Sequence, residues 1–170
     1  GIGVRHHDQQ LLAAVAAGNI GGDKLWQNAT FFRLTEDRFL QVLRDHADPH
    51  QLRERLIAAE RRNLDYYGFG VKGFTLSMIE TAVEVTEGRV PASVIGDLVA
   101  MGRELLEHPM ELLPHARATV SELAPDFRLV LITKGDLLHQ EQKLAASGLG
   151  DLFAAVEIVS EKDRGTYERV

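Results

Sequence analysis

VLITKGD, residues 130–136, decides the fold. With Leu129 in front, four apolar residues run unbroken and then meet Thr133, Lys134, Gly135 and Asp136. A short continuous apolar run suits a strand buried on both faces, as in a parallel sheet. Open α/β sheets hold their ligands at the carboxyl ends of such strands. A hydroxyl, an ammonium, a glycine and a carboxylate therefore stand where a ligand is expected.

Outward from that stretch, LLHQEQKLAASG (137–148) reads as a helix with Gly148 as its C-terminal stop. A second apolar run, AVEIV (155–159), follows, and then SEKDRGTYERV (160–170). Strand, helix, strand at this spacing predicts a βαβ unit, hence a parallel sheet with a right-handed crossover. Upstream, Pro114 opens a short helix, HARATVSELA (115–124). Four further stretches carry helical periodicity. TEDRFLQVLRDHA (35–47) has Thr35 as candidate N-cap and Phe39, Val42 and Leu43 on one face. PHQLRERLIAAERRN (49–63) starts with a proline suited to a first turn and carries Leu52, Leu56 and Ile57. KGFTLSMIETAVEVT (72–86) and PASVIGDLVAMGRELLEH (91–108) complete a helical bundle over about residues 30–108.

The first 26 residues read less clearly. LLAAVAA (11–17) suits a short helix or an irregular lead-in, with a poor strand near residues 16–20 as the alternative. Arg5 ahead of this run is only a weak echo of a secretory leader, because Asp8, Gln9 and Gln10 interrupt it. The fold class expected is α/β: a Rossmann-like parallel sheet core formed by residues 1–29 and 109–170, with an inserted helical cap at 30–108. Two clear strands and a doubtful third make a small sheet for one that needs both faces covered. An exposed sheet edge then favours association between copies.

The net charge of −6 argues against a general nucleic-acid surface, which needs clustered Lys and Arg. No apolar run approaches the roughly 18 residues of a membrane-spanning helix. The absence of cysteine excludes disulfides and thiolate chemistry, and the expected location is cytoplasmic.

RLVLITKGD, KLAASGLGDLF and VEIVSEKDRGTYERV resemble the haloacid dehalogenase-like hydrolases. In that superfamily a strand ending in Thr or Ser is the second motif and a Lys after the next strand is the third; Thr133 and Lys162 match these positions. LWQNATFF (25–32) resembles the segment that follows the first motif, and residues 30–108 resemble the helical cap. The resemblance implies a Mg²⁺-dependent phosphatase-type reaction on a small phosphorylated molecule. An Asp nucleophile would form an aspartyl-phosphate and a second Asp would serve as acid and base. By the same resemblance Thr133 would hydrogen-bond a phosphoryl oxygen, helped by backbone N–H groups near Lys134 and Gly135. Lys162 would offset the crowded negative charge.

The first motif departs from this pattern. Aligned on Leu25 and Trp26, Ile20 takes the nucleophile position, Gly22 the acid/base position and Lys24 the usual Thr position. Asp23 matches only the acidic residue sometimes found after the second Asp, and it is the single candidate metal ligand. The fourth, acidic motif has no counterpart in these residues. Two readings follow: a hydrolase of this class, or a relative that binds without catalysis.

Other features have plainer readings. Asp136 suits the N-cap of the helix after it, and Lys134 suits either a ligand contact or an exposed position. GFGVKG (68–73) has glycine-loop spacing but follows a helical stretch rather than a strand, so it reads as a loop between cap helices, with a hinge or specificity loop as its functional reading. Tyr66, Tyr67 and Phe69 suit packing inside the cap better than a substrate entrance. His6, His7 and Asp8 converge poorly for a metal. Arg53, Arg55, Arg61 and Arg62, interspersed with Glu54 and Glu60, read as the solvated face of a helix.

Overall fold

A computed structural model of the protein describes residues 12–17, 25–159, 164 and 168. The elements run β1 (Leu12–Ala17), α1 (Ala29–Leu43), α2 (Pro49–Tyr67), α3 (Val71–Val85), α4 (Ala92–Glu107), α5 (Ala116–Leu123), β2 (Arg128–Lys134), α6 (Leu137–Ser147) and β3 (Ala155–Val159), with a 3-10 turn at Gly150–Leu152. The three strands form one parallel sheet in the order β1-β2-β3. Central β2 is buried from Leu129 to Lys134, as its unbroken apolar run requires. The register pairs Thr133 with Ala17 of β1 and with Ile158 of β3.

Two expectations are corrected here. The 11–17 run is neither helix nor irregular lead-in, since its residues 12–17 form β1. Alanine favours helix by local propensity, so LAAVAA reads poorly as a strand; parallel pairing along β2 outweighs that preference. Thr35 is not an N-cap. Helix α1 begins earlier, after Asn28, and the Thr35 hydroxyl donates to Phe31 O at 3.0 Å inside the helix. Phe31 and Phe32 extend the buried face upstream, and that packing overrides the cap signature.

Two apolar clusters organise the chain. One joins α1 to α4 through Phe39, Leu43, Leu52, Leu56, Met78 and Leu98, all fully enclosed. Ile57, expected on that face, is 39% exposed. The other cluster joins β2 to Leu25, Trp26, Val120 and Leu149. The chain enters and leaves the helical region through one clamp, an antiparallel bridge between Trp26 and Leu112. There Leu113 N donates to Leu25 O at 2.7 Å and Gln27 N to Glu111 O at 2.9 Å.

The arginine face of α2 does more than contact water. Arg53 pairs with Glu36 and Asp37 of α1, and Arg55 and Arg62 pair with Glu84 and Glu80 of α3. These pairs are largely exposed, so each contributes little beside the apolar core.

Burial sets the expected sensitivities. Phe39→Ala should lose about 3–5 kcal/mol in a urea melt followed by circular dichroism, whereas Ile57→Ala should fall within about 1 kcal/mol of the native chain.

Candidate active site at the end of strand β2

The rim is built from the last residues of β2 and the first turns of α6. Thr133 is buried, and its hydroxyl donates to Gln140 Oε1 at 3.0 Å. Gln140 is itself held by its backbone N–H, which donates to Asp136 O at 2.9 Å as the first α6 turn closes. Between them Gly135 has φ 138°, and a Cβ there would come within 2.7 Å of Gln140 Nε2. The backbone angle requires glycine, and a Cβ would also push the Gln140 amide aside.

Helix α6 turns an unusual face inward. It buries His139, Gln140, Lys143 and Ser147, while Leu137 and Leu138 are about 60% exposed. A helix covering an ordinary core does the reverse. Burial pushes His139 down to about 4; the Lys143 ammonium adds to the shift and the Asp136 carboxylate opposes it. The imidazole is neutral at pH 7. Lys143 Nζ donates to Asn28 Oδ1 at 2.7 Å, tying α6 to the start of α1.

The loop before α3 lies against the rim. The Lys134 ammonium sits 3.4 Å from the centre of the Phe69 ring, a cation–π contact. Lys134 is 4% exposed, so its reading as a surface lysine is corrected. Phe69 meets the rim, and Tyr66 and Tyr67 are exposed rather than packed inside the cap. Asp136 takes the N-cap position of α6, yet its side chain makes no cap bond there. Its Oδ2 instead accepts from the Lys72 backbone N–H at 3.3 Å, and Oδ1 lies 3.6 Å from Lys72 Nζ. Helix α3 has glycine at its own N-cap and no side-chain cap, so a carboxylate 64 residues away supplies the missing acceptor. Gly70 permits the approach: at φ 134°, a Cβ there would lie 2.5 Å from Asp136 Oδ2.

Thr133, Lys134 and Gly135 thus come together at one strand end. Alternation along the strand sends the Thr133 side chain to α6 and that of Lys134 to Phe69. Lys162, Asp23, Ile20 and Gly22 lie outside the described residues, as do His6, His7 and Asp8. Reading the sequence missed Gln140, and it singled out Phe69 and the 68–73 loop without joining them to the end of β2. The signal for Gln140 was its place four residues after Asp136, on a helix whose leucines fall off the inward face.

Mg²⁺ needs several oxygen ligands, carboxylates foremost. Among the described residues no three His, Asp or Glu side chains are grouped to hold a metal, and the Asp136 carboxylate is engaged by Lys72. Those donors do not fit the ion.

Two measurements probe this arrangement. Gly70→Ala should lose about 1–3 kcal/mol in a urea melt, from backbone strain and displacement of Asp136. Asp136→Ala should cost about 1 kcal/mol as α3 loses its acceptor. The pH dependence has a defined sign. His139 binds its proton more weakly folded than unfolded, so its contribution is present above the unfolded value near 6.5 and is lost as pH falls toward 4. Between pH 7 and 4.5 the native chain should lose Tm faster than His139→Gln.

No family model and no curated protein matches the chain. Solved structures do. A haloacid dehalogenase-like family hydrolase from Xanthomonas campestris is 48% identical with a TM-score of 0.84, over 96% of this chain and 68% of that one. The HAD-hydrolase YfnB of Bacillus subtilis, bound to magnesium, is 15% identical at TM-score 0.52, over 88% of this chain and 64% of that one. L-2-haloacid dehalogenase from Xanthobacter autotrophicus, with chloropropionic acid covalently bound, is 19% identical at TM-score 0.51, over 88% and 57%. The last two show the fold alone, and this chain spans less than two thirds of each. Identity near one half, carried across almost all of the chain, shows more: the protein belongs to the haloacid dehalogenase-like hydrolases.

Proposed function

We propose that the end of β2 binds the phosphoryl group of a small phosphomonoester, the binding step of a phosphatase-type hydrolase. The observation that carries this reading is the Thr133 hydroxyl, held by Gln140 at the rim of a buried parallel strand and at the second-motif position. Released from Gln140, Oγ1 can donate to a phosphoryl oxygen. Backbone N–H groups at Lys134 and Gly135 would add donors, and Lys162, shortly after β3 in sequence, would offset charge.

Turnover is a separate matter. Ile20 and Gly22 offer no nucleophile, no proton shuttle and no side-chain oxygen for Mg²⁺, and Asp23 supplies at most one carboxylate. The proposal for this chain is therefore binding with little or no hydrolysis. No step is routed through a metal.

Calorimetry with inorganic phosphate and an assay with p-nitrophenyl phosphate and Mg²⁺ test this. The native chain should bind phosphate without turnover. Thr133→Val should weaken binding about tenfold, from loss of one hydrogen bond to a charged group. The double variant Ile20→Asp, Gly22→Asp should gain turnover that Thr133→Val removes. Phosphate binding unchanged in folded Thr133→Val contradicts the proposal.

A further inference from the structure

A cavity of about 270 Å³ lies among α1, α2, α3 and the loop before α3, with Phe32, Glu60, Asn63, Phe69, Phe74 and Ser77 in its wall. It is small beside the ~300–1,000 Å³ of most ligand pockets, so its occupant is a small group. Phe69 and Gly70 belong both to this wall and to the rim contacts of Lys134 and Asp136. The cavity therefore adjoins the end of β2.

The chemistry of the wall is one-sided. Among the described residues of its wall Glu60 is the single ionisable group; two ammonium groups stand behind the wall, Lys143 on Asn28 Oδ1 and Lys134 on the Phe69 ring. Burial, reinforced by the Glu36 carboxylate, pushes the Glu60 carboxyl up to about 7. Glu36 is itself held by Arg53, whose guanidinium is turned to α1 rather than to Glu60. One turn further along α2, Asn63 Nδ2 donates to Ser77 Oγ at 3.1 Å and to Glu80 Oε2 at 2.7 Å, both on α3. Both of its donor hydrogens are thereby engaged. The other walls are aromatic, with Phe32 and Phe74 packed edge to face at 5.1 Å. A carboxylate in a wall otherwise built of neutral polar and aromatic side chains favours a cation and disfavours an anion.

We propose that this cavity receives the leaving group of the phosphomonoester and that the leaving group bears an ammonium, primary or quaternary, which pairs with Glu60. The inference rests on the phosphoryl-binding reading above. It gives the ligand a direction: phosphate to Thr133, ammonium to Glu60. A leaving group carrying a carboxylate would meet Glu60 and be rejected.

Titration calorimetry on the whole chain at pH 8, where Glu60 is mostly ionised, tests it with phosphocholine, inorganic phosphate, 2-phosphoglycolate and choline. Phosphocholine should bind about tenfold tighter than phosphate, and 2-phosphoglycolate no tighter than phosphate. Glu60→Gln should abolish the preference, whereas Glu54→Gln, an exposed carboxylate on the same helix, should keep it. Glu60→Gln should melt no lower than the native chain at pH 8, so lost preference is not lost fold. Phosphate binding with no preference for phosphocholine, or a preference that survives Glu60→Gln, overturns the ammonium pocket and leaves the phosphoryl reading intact. Choline binding that needs Glu60, without phosphate binding, supports the pocket and overturns the phosphoryl reading. Binding of none of the four overturns both.

Discussion

The Asp136 carboxylate lies between the starts of two helices from distant parts of the chain. It belongs to the N-cap of α6 and accepts from the first turn of α3, with the Lys72 ammonium nearby. Both helix ends present positive partial charge, and the carboxylate hydrogen-bonds only that of α3 while standing at the start of α6. The rest of the site depends on this contact, because it brings Phe69 and Gly70 over the end of β2. Gly70 has no side chain to obstruct it, and the Lys134 cation–π contact holds the neighbouring Phe69 of the same loop.

Helix α6 supplies the second constraint. Burying His139, Gln140 and Lys143 while exposing Leu137 and Leu138 gives up apolar burial for a polar face beside the strand end. Each buried polar group then needs a partner. Gln140 has Thr133, and Lys143 has Asn28. His139 avoids the cost of a buried charge by staying neutral at pH 7. Such an arrangement suits a site more than a core.

Much of the framework is legible in the sequence, and what escapes does so for identifiable reasons. β2, α6 and β3 carry apolar runs and a glycine stop strong enough to read locally, and helices α2 to α4 carry clean periodicity. β1 does not, because alanine favours helix and only pairing with β2 makes it a strand. Thr35 imitates a cap because a Thr followed by acidic residues is a local pattern, whereas the true start at Asn28 depends on where Phe31 and Phe32 pack. The place of Thr133 at the end of a buried strand was readable from the apolar run before it. Its partner Gln140 and the contact between Asp136 and α3 were not, since one depends on helix phase and the other joins residues 64 apart. The acidic cavity escaped for the same reason: Glu60 looks like one more charge on a solvated helix until α1 and α3 close over it.

The central claim is that the β2 rim binds a phosphoryl group and that the loop before α3 is coupled to that rim through Asp136 and Lys134. Amide chemical-shift mapping during a phosphate titration tests it most directly. The account predicts that the amides of Lys134 and Gly135 move together with those of Phe69, Gly70 and Lys72, and that all fit a single dissociation constant. Shifts confined to surface lysines, or none at residues 133–136, would contradict it.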